Sequence, residues 1–168
     1  RVLAVGEREA GHAAAEHLAD PGAQALWVLT PQARRFRRIQ TAGRRRLVSP
    51  VAVAIGPERR IYLADSFLAQ VLVYDPLGRW LSTIASPALQ RPAGLAYDEA
   101  RDRLYVADSG AHQVWVFSGD GQATGSLGRR GIGNGEFNFP THVAVDRSGT
   151  LYVTDALGFR IQRFASDG

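Results

Sequence analysis

The sequence predicts an all-β fold assembled from copies of one small antiparallel sheet. When Asp65, Asp108 and Asp155 are aligned, three copies of one unit appear, spaced 43 and 47 residues apart. An aromatic residue follows each aspartate by nine positions, and a glycine follows that by four. Each unit also opens with a proline, 15 or 16 residues before its aspartate: Pro50, Pro92 and Pro140. A repeat of this length with several short strands is typical of a β-propeller blade.

The first strand of each unit is predicted at residues 51–55, 93–97 and 141–145. Proline stands at the start of each strand, where the missing N–H costs least. One column of this strand is always alanine, and a neighbouring column holds Ala52, Gly94 and His142. Small side chains fit the region where blades taper towards a central axis, so His142 is a candidate for lining the channel.

The second strand ends in the aspartate and carries a tyrosine three positions before it: Tyr62, Tyr105 and Tyr152. These strands are apolar on both faces, which predicts burial between two neighbouring sheets. The aspartate that closes each strand is expected to accept backbone N–H groups and set up the following turn. Third strands follow at residues 70–74, 113–117 and 160–164, and fourth strands at residues 80–84 and 123–127.

Before these units we predict a degenerate copy, in which residues 26–30 form the second strand and Thr30 stands in the aspartate column. Residues 1–6 then form its inner strand, residues 11–19 a short helix or loop, and its outer strand is short or absent. The chain divides into a degenerate blade (1–47), two blades (48–90 and 91–138) and an incomplete blade (139–168). The prediction is a single partial ring of about three and a half to four four-stranded antiparallel blades.

Composition is that of an ordinary globular chain, with 45% apolar and 21% charged residues. No apolar run reaches the roughly 18 residues of a membrane span. The absence of cysteine excludes disulfides and thiolate metal sites. Because the chain contains no methionine, we expect Arg1 to be the edge of a longer or processed protein.

All basic residues except histidine are arginines, and the formal net charge is +4. A cluster of seven arginines that could bind phosphate or another polyanion comprises Arg34, Arg35, Arg37, Arg38, Arg44, Arg45 and Arg46. The alternative is a solvated outer strand and turn. Grooves for single-stranded nucleic acid interleave aromatic residues with the charge. Only Phe36 does so here, and nucleic acid is therefore an unfavoured partner.

The repeat columns resemble the NHL repeat, whose pattern runs through Pro-x-Gly-Val-Ala-Val-Asp, Leu-Tyr-Val-Ala-Asp-Ser, Arg-Ile-Gln-Val-Phe and Asp-Gly. The best copies read GEFNFPTHVAVDRSGTLYVTDALGFRIQRFASDG and RPAGLAYDEARDRLYVADSGAHQVWVFSGDG. The resemblance covers residues 48–168 well and residues 24–47 weakly. In detail the chain is similar to bacterial six-bladed NHL propellers, many of which are exported, and this resemblance favours an extracytoplasmic location, periplasmic or anchored. It also implies that more chain or an assembly closes the ring, because closure removes exposed sheet edges.

Some NHL-type propellers are enzymes, among them lyases with a histidine-bound zinc near the axis. Here His12 and His17 lie outside the good repeats, and His112 is predicted to be exposed in a turn. No matching columns supply the other ligands that a zinc site around His142 needs. The recurrent aspartates are spread around the ring by symmetry and do not converge on one substrate. We therefore identify no catalytic residue, metal site or cofactor.

The favoured function is a non-enzymatic binding or scaffolding module for a protein, peptide or glycan, acting through its loop face or channel. One alternative is a metal-dependent lyase or lactone hydrolase of propeller type. Another is an RNA-binding NHL domain that uses the arginine cluster.

Overall fold

The computed structural model describes residues 2–4, 16–30 and 35–165. These residues form seventeen strands and one short 3-10 turn, Pro57–Arg59. Within the same ranges, no helix has the length and apolar character needed to cross a membrane. The prediction of an all-β chain is confirmed.

Most strands form four small antiparallel sheets, here called blades 1 to 4. Blade 1 contains β1 (Val2–Ala4), β2 (Glu16–Asp20), β3 (Ala25–Thr30) and β4 (Arg35–Ile39). A hairpin of β5 (Thr41–Ala42) and β6 (Arg45–Arg46) follows. Blade 2 contains β7 (Pro50–Ile55), β8 (Ile61–Asp65), β9 (Gln70–Tyr74) and β10 (Trp80–Ala85). Blade 3 contains β11 (Pro92–Asp98), β12 (Arg103–Asp108), β13 (Gln113–Ser118) and β14 (Ala123–Leu127). Blade 4 contains β15 (Pro140–Val145), β16 (Leu151–Asp155) and β17 (Arg160–Phe164).

The prolines open the inner strands of blades 2 to 4 directly opposite the aspartates that close the second strands. Pro50 is paired with Asp65, and the pairing register then shifts by one residue. Pro92 and Pro140 show the same pairing and the same shift. A β-bulge at this point accommodates a residue that has no N–H to donate to the ladder.

The blades bury their faces against one another, as the apolar second strands predict. Separate apolar cores fill the spaces between blades 1 and 2, 2 and 3, and 3 and 4. The exposed fractions of the three repeated tyrosines show this arrangement. Tyr62 is 2% exposed and Tyr105 is 5% exposed, whereas Tyr152, on the uncovered face of blade 4, is 38% exposed.

The predicted assignment of strands in the first blade is wrong. Asp20, and not Thr30, ends the second strand, and the N–H of Ala23 donates to its carboxylate at 3.0 Å. The N–H of Leu68 donates in the same way to Asp65. The outer strand β4 is also five residues long rather than short or absent. The apolar run 26–29 resembles a second strand because it is apolar, but in this blade it lies in the third strand. One face of that strand, with Leu26 and Val28, is buried against blade 2.

Candidate functional site

One end of the blades carries most of the features that a partner could contact. Here each second strand ends, each third strand begins, and the chain enters the inner strand, because Asp65 is paired with both Pro50 and Gln70. We call this end the connection face. It consists of the turns after each aspartate (66–69, 109–112 and 156–159) and the connections into blades 3 and 4 (86–91 and 128–139).

The repeated aspartates are buried beneath this face and stabilise its backbone. Asp65, Asp108 and Asp155 are completely buried. Asp108 accepts the N–H groups of Gln90 and Arg91 at 2.7 and 2.8 Å, and those of Gly110 and Ala111 at 3.0 Å. Each aspartate therefore ties its own turn or strand end to the two residues before the proline, and its oxygens are not available to a ligand.

The other two aspartates make equivalent bonds. Asp65 accepts the N–H groups of Val48 and Ser49 at 2.8 and 3.0 Å. Asp155 accepts those of Asn138 and Phe139 at 2.9 and 2.8 Å. This repeated arrangement gives the aspartate column a structural role.

Sequence reasoning missed a further column that anchors the same connections. Leu47, Leu89 and Phe137 each stand three residues before a proline, and all three are buried. Their side chains close the ends of the apolar cores between blades. The ring centroids of Phe137 and Phe164 are 5.7 Å apart. The constant spacing to proline was the available signal.

Several large apolar side chains on the connection face are exposed to solvent. Phe67 is 75% exposed, and Leu157, in the same position of the blade 4 turn, is 55% exposed. Phe159 and Ile132 are more exposed still, at 92% and 81%. Blade 3 has Gly110 at the position that Phe67 and Leu157 occupy in their blades.

The connection that carries Ile132 is firmly attached to blade 4. The Arg160 guanidinium donates to the carbonyls of Gly133 and Glu136, both at 2.7 Å. Glu136 in turn accepts from the Arg129 guanidinium at 2.9 Å and from the Gly133 N–H at 3.0 Å. The Gly133 N–H and Arg129 lower the pKa of the Glu136 carboxyl.

Uncompensated charge on the connection face is positive. Arg91 and Arg130 are exposed, and neither has a carboxylate partner among the described residues. The acidic groups of this face are either buried, like Asp108, or paired, like Glu136. The opposite end of the blades differs, because its turns and strand ends mix the two signs of charge. They carry the carboxylates of Glu58, Asp75, Glu99, Asp102, Asp120 and Asp146 and the arginines Arg59, Arg60, Arg79, Arg101, Arg103 and Arg147.

The channel-lining candidate His142 is exposed on the uncovered face of blade 4, and its Nδ1 lies 3.1 Å from the Thr141 hydroxyl. Its counterpart Gly94 lies against the inner strand of the next blade, since a Cβ there would be 2.9 Å from the His142 Cα. Its role as a channel residue stays a prediction.

The described arginines of the cluster make different contacts. Arg37 donates to the Leu77 carbonyl of blade 2. Arg38 donates to the Ala23 carbonyl at 2.9 Å and stacks over Trp27 at 5.5 Å. The remaining exposed members of the cluster lie in or beside the β5–β6 hairpin: Arg44, Arg45 and Arg46. Arg35 begins β4, whereas Arg34 lies outside the described residues. Binding of a polyanion stays a prediction.

His17 is the most unusual titratable group in the described part of the chain. It stands in the tyrosine column of blade 1 and is 2% exposed, and among the described residues neither ring nitrogen has a hydrogen-bond partner. Burial, aided by Arg59, lowers the pKa of its imidazole to about 4. His112 is half-buried rather than exposed, and His12 lies outside the described residues. Among the described residues, no three His, Asp or Glu side chains are grouped so that they could hold a metal ion.

A shallow groove of about 370 Å³ lies on the uncovered face of blade 1, lined by Leu18, Trp27, Leu29, Phe36 and acidic neighbours. In blades 2 to 4 the corresponding face is covered by the preceding blade. The groove therefore belongs to the blade-stacking surface.

Comparison with known proteins identifies the repeat. The family model described as NHL repeat matches residues 89–117, a segment that runs from the buried Leu89 through Pro92 and Asp108 to Phe117. The chain has an NHL-type propeller fold. A comparison with curated protein sequences gives no match.

Solved structures similar to this propeller have several different activities. A catalytically inactive virginiamycin B lyase from Staphylococcus aureus with quinupristin is 13% identical, with a TM-score of 0.74, covering 91% of this chain and 49% of that chain. A gluconolactonase from Xanthomonas campestris is 22% identical, with a TM-score of 0.71 and coverages of 92% and 56%. The WD40 repeats of RRP9 are 14% identical, with a TM-score of 0.65 and coverages of 90% and 48%.

The NHL-type propeller described here spans about half the length of the solved structures it matches. At these identities the likeness shows the fold alone, because one propeller architecture supports many functions.

Proposed function

We propose that this propeller is a non-enzymatic binding module that holds a segment of a partner protein or peptide on its connection face. The observation that carries the proposal is the set of four large, exposed apolar side chains on that face: Phe67, Ile132, Leu157 and Phe159. Several large apolar side chains exposed on one face favour an interaction site on that face.

The rigidity of the connection face supports the same proposal. The turn that carries Phe67 is fixed by Asp65, and the connection that carries Ile132 is fixed by Arg160. A surface that is ordered before binding loses little conformational entropy when a partner arrives. The exposed apolar side chains can therefore bind a partner with little loss of conformational entropy.

The proposal is tested by selecting partners for the chain and then removing one anchor. The immobilised protein is panned against a phage-displayed library of random octapeptides, and selected peptides are measured by fluorescence anisotropy. The Phe67→Ser variant should weaken binding by about tenfold or more, as loss of an aromatic anchor does. The matched control is Leu81→Ser, an exposed apolar residue on the outer strand β10, which should change binding by less than about twofold.

The enzymatic rival predicts a different result. Fold neighbours include a lyase and a lactonase, so a lactone and a streptogramin are assayed with the same protein in the presence of divalent metal. Turnover above the uncatalysed rate, together with failure to select any peptide, would favour the enzyme and refute the binding module. Selection of glycans but not peptides from an array would assign the face to a glycan instead.

A further inference from the structure

We infer that the segment bound on the connection face is acidic at its centre and apolar at both ends, in an extended stretch of about six residues. This inference rests on the proposed function and adds the chemical class of the partner. It follows from the exposed apolar side chains on either side of blade 3 and from the charge of the connection into that blade.

The surface over blade 3 lies between two exposed apolar side chains, here called the walls. Phe67 in blade 2 and Leu157 in blade 4 stand two residues after their aspartates, and Gly110 holds that position in blade 3. A Cβ at Gly110 would lie 3.0 Å from the Cβ atoms of Gln90 and Arg91. In blade 3 the connection therefore packs where the other two blades have a side chain, and it is within reach of a ligand that lies between the walls.

Arg91 supplies the charge between the walls. Its N–H donates to Asp108 at 2.8 Å, and its carbonyl accepts the N–H and hydroxyl of Ser109 at 3.0 and 3.1 Å. The backbone is thus fixed, whereas the guanidinium is exposed and has no carboxylate partner among the described residues. A guanidinium in this situation favours a carboxylate, which it can bind through two parallel hydrogen bonds.

The spacing of the walls sets the length of the segment. Packed sheets lie about 10 Å apart, so the turns of blades 2 and 4 are separated by about 20 Å. An extended chain rises about 3.3 Å per residue, and about six residues span that distance. Apolar side chains at the two ends then contact Phe67 and Leu157, and acidic side chains at the centre lie over Arg91.

The charge of the connection face favours an acidic partner. Arg91 and Arg130 are exposed there and attract an acidic segment. The acidic groups of the same face are buried, like Asp108, or paired, like Glu136, so they do not offset this attraction. The opposite end mixes the two signs of charge, because Glu58 is paired with Arg60 and Asp75 with Arg79.

The test uses a fluorescein-labelled octapeptide with leucine at its second and seventh positions, aspartate at its fourth and fifth, and serine elsewhere. A second probe replaces both aspartates with lysine. Binding of each probe to the full chain is measured by anisotropy for the wild type, Arg91→Gln, Arg91→Glu and the control Arg79→Gln, an exposed cation at the opposite end. Melting curves followed by circular dichroism show that each variant is folded.

We expect the acidic probe to bind and the lysine probe to bind at least about tenfold more weakly. Arg91→Gln should weaken the acidic probe, Arg91→Glu should reverse the preference, and Arg79→Gln should change either affinity by less than about twofold. Equal binding of the two probes, or a preference unaffected at Arg91, overturns the inference. If the octapeptide library yields binders that depend on Phe67 but have no acidic bias, the proposed function stands and this inference fails. If the library yields no binder, both fail.

Discussion

The buried histidine between the first two blades gives a measurable pH dependence of stability. His17 replaces the tyrosine of the repeat, is almost fully buried, and lacks a hydrogen-bond partner among the described residues. Its pKa falls from 6.5 to about 4 because burial disfavours the charged imidazolium and Arg59 repels it. The folded state therefore binds the proton less readily than the unfolded state does.

The sign and size of the effect follow from proton linkage. The contribution of neutral His17 is fully present above pH 6.5 and is lost as the pH falls from 6.5 towards 4. One pKa unit corresponds to about 1.4 kcal/mol, so the total is about 3 kcal/mol, of which about 2 kcal/mol is lost by pH 5. Replacement of His17 by leucine, which is similar in size and does not titrate, should abolish this loss. It should also stabilise the protein at pH 7.5, because two unpaired buried nitrogens disappear.

The free energy of unfolding is measured by urea titration with tryptophan fluorescence from pH 4.5 to 8, for the wild type and His17→Leu. The quantity of interest is the difference between the two proteins, in which the other titrating groups cancel. His142→Gln, a substitution of an exposed histidine, is the control and should follow the wild type. Parallel curves for the wild type and His17→Leu between pH 7 and 5 would refute the reasoning.

Three further predictions concern the joints between blades. Asp108→Ala should lower the free energy of unfolding by about 4 kcal/mol, because four partly buried N–H groups lose their acceptor; a loss under about 1 kcal/mol would contradict the structural role. Tyr62→Ala should cost about 3 to 5 kcal/mol and Tyr152→Ala about 1 kcal/mol, since only the first is covered by a following blade; equal losses in urea titrations would contradict the stacking. Gly94→Ala should cost about 2 kcal/mol, because its Cβ would lie 2.6 Å from a backbone oxygen of blade 4. In the same thermal melts Gly125→Ala, which has open space, should be nearly neutral.

The sequence was sufficient to predict the blades because their constraints are local and repeated. A proline with no N–H, an aspartate that accepts several, and a tyrosine in a doubly covered strand each need one residue type at a fixed spacing. The same constraints recur around Asp65, Asp108 and Asp155, so three independent copies support one interpretation. This redundancy explains why the strand order and the covered faces were predicted correctly.

The first blade was misplaced because its landmarks are changed at the positions that carry the signal. His17 stands where the other blades have tyrosine, and no proline marks the inner strand. The structure identifies Asp20 as the equivalent aspartate, because Gln24 adopts the same positive φ as Ala69, His112 and Phe159, each four residues after its aspartate. Glycine at these positions would have indicated the positive φ in the sequence, but none of the four residues is glycine.

The features of the proposed site were not predictable from the repeat, and the reason is physical. The aspartate clamp fixes the backbone of each turn from within, so the residue two positions later can differ from blade to blade. It is phenylalanine in blade 2, glycine in blade 3 and leucine in blade 4. Where this side chain is exposed, as at Phe67, stability depends on the buried column and the proposed recognition depends on the exposed residue. Phe67→Ser should therefore preserve the melting temperature within a few degrees while it weakens peptide binding over blade 3. Gly110→Phe should instead lower the melting temperature, because its Cβ would lie 3.0 Å from the Cβ atoms of Gln90 and Arg91.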